Sequence, residues 1–328
     1  MRAAICVVAA ALSLFAQPKN LVNAKVQQRS AASGLEGQVR SLLASQPQPA
    51  WIGYSVPSTR TSFLGCDYVR DGMSTSGVVH LEPPDHIVVL YRVDGNAINR
   101  IRTISPDCEI DAGGVPVYWL SDVQPAQSVN YLASLIPDRE RVGESPLNAI
   151  AQHGDPAADQ VLERYLAPTQ PESQRQRVVS LMASARGRHG FDVLRKLITS
   201  DPDERVRERA VSSLANSREP EALDLMISIA SKDTNAKLRE QAVSALSRKS
   251  TKAVLPTLTK VVESDSDPAV RRRAVTALNQ LPDGDGIPTL IQVVKTSQNP
   301  EVRKAAMNSL GQSRDPRAVA FFEDVLKH

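Results

Sequence analysis

The chain has 328 residues, room for about two domains. Its 39 Lys and Arg against 36 Asp and Glu leave a net charge of +3, too small to imply a nucleic-acid partner by itself. Aromatic residues make up only 4%, which is low for a large enzyme core and suits repeated aliphatic helices.

In chain order, Arg2 precedes an apolar run from Ala3 to Phe15, the length of a signal-peptide core and too short to span a bilayer comfortably. Val22-Asn23-Ala24 offers a cleavage site before Lys25, with Ala16 a second one, so residues 1–24 are expected to be a signal peptide and the mature chain exported, periplasmic or extracellular, with no stable membrane span. Cys6 lies inside that run. Cys66 and Cys108 remain, and an even pair in an oxidising compartment reads as a disulfide, stabilising by roughly 4 kcal/mol in the chain-entropy model. There is no Cys-x-x-Cys, and no metal or cofactor is expected.

Residues 25–50 carry Leu35, Val39, Leu42 and Leu43 at helical spacing, followed by "SQPQPA": a short helix and linker. From Trp51 to Val123 the texture becomes β-branched and aromatic, as in "HIVVLYRV" and "VPVYWL". Asp94-Gly95 signals a hairpin, and the return strand, where Ile98, Ile101 and Ile104 do not alternate cleanly, reads as bulged or partly helical. The expectation for 51–123 is a small antiparallel sheet. Asp85, His86, His80, Glu82 and Asp107 are polar candidates there, but no catalytic spacing and no phosphate-binding glycine loop occurs.

Residues 124–328 read as a solenoid. A step of 32 links Ala210, Ala242, Ala274 and Ala306, and likewise Leu214, Leu246, Leu278 and Leu310. A second set joins Leu194, Met226, Leu258, Leu290 and Phe322. Within each unit the apolar residues fall at i, i+3, i+4 and i+7, so each unit is two amphipathic helices that bury their stripes only when stacked. Asp-Pro pairs at Asp155, Asp201, Asp267 and Asp315 mark helix starts.

With "DPAVRRRAVTAL" and second helices like "AVLPTL", residues from about 145 onward resemble HEAT-like repeats, of the short kind also found in phycobilin lyases. The resemblance implies a mainly α fold: a right-handed α-solenoid of five or six helical hairpins behind a small β-rich domain. It also implies a structural Asp–Arg ladder between units, carried by Asp201, Arg207, Asp233, Arg239, Asp265, Arg271 and Arg303. The neighbouring columns mix signs (Glu208, Glu240, Arg272, Lys304), which reads as a solvated face and not a phosphate-binding stripe.

The outward positions of the second helices are the expected partner surface: Arg195, Lys196, Asp224, Ser228, Thr257, Lys260, Thr289, Gln292 and Lys295. Phe321 falls in a column that tolerates polar residues and is a candidate exposed docking point, the alternative being ordinary packing against the preceding repeat, whereas Phe322, Val325 and Leu326 fall in core columns. The functional expectation is a non-catalytic exported scaffold binding an unidentified protein, with no nucleic acid. The alternatives are a lyase-like binder of a pigment or small ligand, and an enzyme with its site in the β-rich domain.

Overall fold

A computed structural model describes residues 21–45, 49–61, 83–143, 145–249 and 253–327. The chain divides into two compact units, the first ending at Leu162.

In the first unit, β1 (Leu21–Val22) pairs in parallel with β6 (Ile110–Asp111). A five-stranded sheet contains β2 (Lys25–Ser30), β3 (Ala50–Pro57), β4 (His86–Asp94), β5 (Ala97–Ile104) and β7 (Pro116–Ser121), in the order β2-β7-β3-β4-β5. The expected antiparallel sheet is thus corrected to a mixed one. β7 enters between β2 and β3 and runs parallel to both, and only β3-β4-β5 is antiparallel. Residues 25–30, expected in the helix-and-linker segment, form a strand because β7 offers them a full edge.

The β4–β5 hairpin turns on Gly95 and Asn96, both at positive φ, one residue beyond the Asp-Gly pair read from sequence. Two consecutive left-handed residues match the twist of the flanking strands. Asn99 is skipped in the pairing, so the return strand carries a bulge. Cys108 is buried with Val88, Leu90, Ile104 and Trp119; Cys66, Cys6, His80, Glu82 and the 1–20 segment lie outside the described residues.

Helix α1 (Leu35–Ser45) and helices α2 (Pro125–Leu135), α3 (Arg139–Val142) and α4 (Ser145–Gln152) complete this unit, followed by α5 (Ala157–Arg164). Both α3 and α4 pack on β5, and α4 packs on α2. The helices after residue 124, read from sequence as the start of the solenoid, therefore cover the sheet. Their apolar stripe, which includes Val129, Leu132, Leu147 and Ile150, is fully buried.

The second unit is a solenoid of five helical hairpins: α6 (Glu172–Ala185) with α7 (Gly187–Ser200), α8 (Glu204–Ser213) with α9 (Glu221–Lys232), α10 (Ala236–Leu246) with α11 (Val254–Ser264), α12 (Pro268–Asn279) with α13 (Ile287–Thr296), and α14 (Pro300–Gln312) with α15 (Pro316–Lys327). First helices stack on first helices, α6 to α8 to α10 to α12 to α14. The columns Val206/Leu238/Val270/Val302 and Leu214/Leu246/Leu278/Leu310 are buried throughout. Each such side chain contributes about 1.5–3 kcal/mol by leaving water. No single hairpin can supply that burial alone, so the stack is the folding unit.

Two polar columns set the turns. Asp203, Asn235, Asp267 and Asn299 are the N-caps of α8, α10, α12 and α14, each accepting a first-turn amide. Two residues earlier, Asp201, Asp233, Asp265 and Ser297 accept the cap residue's own amide. For Asp201-Pro202 the sequence reading put the helix start two residues early: Asp203 is the cap.

The arginine column fastens these turns in two ways. Arg207, Arg239, Arg271 and Arg303 each donate Nη1 to the main-chain carbonyl six residues back, at 2.6 to 2.9 Å. The ion pair goes forward, to the aspartate 26 residues on. Arg175 pairs with Asp201, and Arg239 grips Asp265 through Nε and Nη2 at 2.8 and 2.9 Å. Arg207 makes the carbonyl bond, but among the described residues no ion pair joins it to Asp233. The residue 26 positions beyond Arg271 is Ser297, where the other rungs have aspartate, and Arg271 Nε is buried without a hydrogen-bond partner.

Candidate binding face of the second helices

Helices α7, α9, α11 and α13 are strongly amphipathic, so one stripe is locked into the core and the opposite one is presented to solvent. Arg195, Lys196, Asp224, Ser228, Lys260, Gln292 and Lys295 are exposed on it; Thr257 and Thr289 are half-buried. Two open grooves cross this face. One, of about 480 Å³, is floored by Leu166, Val193 and Leu197 and rimmed by Lys196, Asp192 and the Glu163–His189 pair, whose Oε1 and Nε2 lie 2.8 Å apart. The other, of about 590 Å³, lies between α11 and α13 and brings together Lys260, Thr289 and Gln292 with Leu255 and Pro288. Four of the nine sequence-predicted positions thus line grooves, while Arg195, Asp224, Ser228, Thr257 and Lys295 line neither.

Phe321 is a correction. It is only 7% exposed, with the tilted ring of Phe322 5.6 Å away and Lys295 Nζ 5.7 Å from its ring. Its column is half-buried in every preceding unit, and a phenyl ring there reaches the lysine stem of α13 and is covered. Val325 and Leu326 correct in the opposite direction: they occupy core columns yet are 47% and 86% exposed. Those columns face the following repeat, and α15 has none after it among the described residues.

The other concentration of polar chemistry is in the first unit. Tyr54 Oη lies 2.6 Å from Tyr91 Oη and 2.7 Å from Ser128 Oγ, and Ser128 Oγ lies 3.2 Å from His153 Nε2. A serine beside an imidazole invites a nucleophile reading. All four side chains are completely buried, however, so no substrate atom can touch them. The cluster instead ties β3, β4, α2 and the end of α4 together, because each buried hydroxyl must find a partner. Burial raises the Tyr54 and Tyr91 hydroxyl pKa values well above the ordinary range and pushes Tyr131 up to about 12. Sequence reasoning missed this cluster, since its members are scattered over a hundred positions with no local spacing. Among the described residues no group of three or more His, Cys, Asp or Glu could hold a metal ion, and no helix is long and apolar enough to cross a membrane.

Stacked helical hairpins with capped, arginine-fastened turns define an α-solenoid repeat protein. The HEAT-repeat family profile matches residues 166–247 and 255–328, and the chain is a HEAT-like repeat protein. No curated protein matches it. Similar solved structures include human deoxyhypusine hydroxylase in complex with glycerol, at 13% identity and a TM-score of 0.30, covering 61% of this chain and 90% of that one. Another is the complex of CpcE and CpcF of phycocyanin lyase from Nostoc, at 16% identity and a TM-score of 0.30, covering 63% and 88%.

Proposed function

We propose that this protein is an exported, non-catalytic scaffold that binds another protein across the second-helix face of its solenoid. The observation that carries the reading is the pair of open grooves on that face, each with an apolar floor and a charged rim. HEAT repeats generally mediate protein interactions, and extended faces of stacked repeats are their usual binding surfaces. A groove of several hundred Å³ accepts side chains of a partner without any catalytic group.

The test is affinity capture from the native host with wild-type chain and with two face variants, Lys196→Glu and Thr289→Arg. A partner retained by wild type and lost by both variants, at unchanged helical circular dichroism, supports the reading. Retention by both variants refutes it. Export and the Cys66–Cys108 bond belong to the same proposal. Mass spectrometry of host-derived chain is expected to show the mass deficit of one disulfide and loss of an N-terminal segment, by cleavage after Ala24, which removes β1, or after Ala16, which keeps its pairing with β6.

A further inference from the structure

From α8 to α12, one outward column of the first helices, Glu208 and Glu240, is tied to the following repeat at a constant offset. Glu172 meets Arg205 at 3.3 Å from a different column, whose next member, Glu204, meets Asn235; Glu208 meets Gln241 at 3.4 Å and Glu240 meets Arg273 at 3.3 Å, each 33 residues apart. The next member of this series would join positions 272 and 305, but these are Arg272 and Ala305. The forward acceptor of the arginine column is also absent at this junction, where position 297 is serine and not aspartate, although Arg207 forms no ion pair among the described residues even with Asp233 present. Both acidic acceptors that tie one first helix to the next are therefore missing between α12 and α14.

The charge left behind is one-signed. Helices α12 and α14 carry Arg271, Arg272, Arg273, Arg303 and Lys304 against a single carboxylate, Glu301. Helices α8 and α10 carry the same number of cations but balance them with Glu204, Glu208 and Glu240. Arg273 is shared with Glu240, and Arg303 is held by a carbonyl; Arg272 and Lys304 are exposed and make no ion pair among the described residues. Arg272 and Lys304 occupy equivalent positions in adjacent repeats and put two like charges on this surface. Nothing in the fold requires that: the same column accepts glutamate at 208 and 240.

We propose that the outward face of α12 and α14 is a docking surface for an acidic polypeptide segment, whose carboxylates supply what the repeat series lacks there. A carboxylate matches the paired donors of a guanidinium in geometry and charge. The face argues against the other anionic occupants. Neither helix bears an aromatic residue on which a base could stack. Neither bears an exposed large apolar side chain to enter a lipid surface, since among the described residues those are Val22, Val319, Val325 and Leu326. This surface is separate from the second-helix grooves, so it stands or falls independently of the proposed scaffold face.

The test is fluorescence anisotropy of a short labelled glutamate-rich peptide against the full chain at low ionic strength. Wild type is expected to bind, with affinity falling as salt is added. Arg272→Glu with Lys304→Glu is expected to raise Kd about tenfold or more. Lys25→Glu with Arg29→Glu, the same charge change on exposed positions of β2, is expected to leave it unchanged. Arg272→Gln with Lys304→Gln is a milder version should the reversal disturb folding, which melting by circular dichroism reports. The proposal is overturned if wild type does not bind the peptide, or if both charge reversals weaken it equally. It is overturned as well if phosphatidylserine vesicles or a single-stranded oligonucleotide bind this face more tightly than the peptide does.

Discussion

The Arg239–Asp265 rung allows a sharp test of what holds the repeats together. Its side chains are 10% and 6% exposed, and Arg239 spends three donors: two on the Asp265 carboxylate and one on the Asp233 carbonyl. Arg239→Ala removes all three and leaves a desolvated carboxylate with only the Asp267 amide as partner. Breaking a buried pair from one side costs about 3–5 kcal/mol, whereas a solvated pair costs under about 1. The retained amide bond places the expected loss near the lower bound, about 3 kcal/mol. For a unit of this size that lowers the melting temperature by roughly 6–12 °C. Urea denaturation followed by helical circular dichroism reads it directly. Arg272→Ala, on the exposed side of α12, is expected to change stability by no more than about 0.5 kcal/mol. The pH dependence gives a second check. Burial alone would raise the Asp265 carboxyl, but the Arg239 hydrogen bonds and the Asp267 amide outweigh it and hold the group below its usual range. A folded pKa below the unfolded one means the contribution is fully present above about pH 3.9 and is lost as pH falls through the folded value. The gap between wild type and Arg239→Ala is therefore expected to close in acid. A loss below about 1 kcal/mol, or a gap that persists in acid, refutes the reasoning.

Ser297→Asp restores the missing acceptor opposite Arg271 and is expected to stabilise the last two hairpins by about 1 kcal/mol, read as slower amide exchange in α14 and α15. No change there would mean that Arg271 cannot reach position 297. The buried tyrosines make the first unit sensitive to alkali. Their folded pKa values are raised, so the native state keeps protons that the unfolded chain releases above about pH 10, and stability falls as pH rises further. Tyrosinate absorbance is expected to lag and then appear together with unfolding of the sheet; free titration in the native state would contradict this. Gly190→Ala would bring a Cβ to 2.0 Å from the Met182 carbonyl oxygen, so at least about 2 kcal/mol of destabilisation by urea denaturation is expected.

The period of the solenoid was legible because every hairpin spends the same columns on the same core, and columns such as Leu214/Leu246/Leu278/Leu310 are local in sequence terms. The arginine column was equally visible, but its acceptors were not. The six-residue step that draws the eye is a bond to a carbonyl, which any residue at 201, 233, 265 or 297 can provide, and Ser297 does. The carboxylate that matters is 26 residues ahead, a distance set by how one hairpin lies on the next. The first unit was less readable for a related reason. The alternation in β2 and the apolar run in β7 indicate strands, but nothing local states that β7 lies between β2 and β3. An apolar stripe likewise states that α2 and α4 are buried, not that a sheet buries them.

A repeated sequence offers a different kind of signal, the exception within a column. Where four units agree, the shared residue reports packing that every unit needs, and it carries little about any particular role. Ser297 among Asp201, Asp233 and Asp265, and Arg272 following Glu208 and Glu240, depart from what the fold alone accepts, and they do so at one junction. A random departure would be expected to disturb one contact. Here an ion pair and a surface pair lose their acidic member together, and although the basic member of the surface pair is also gone at Ala305, Arg272 and Lys304 bias the local charge in a single direction. Phe321 shows the limit of the same logic. Its column changes from aliphatic and threonine to phenylalanine, but at the end of the stack that change is answered by Lys295 within the chain. A departure points outward only when no neighbour in the fold completes it, and Arg272 and Lys304 meet that condition where Phe321 does not.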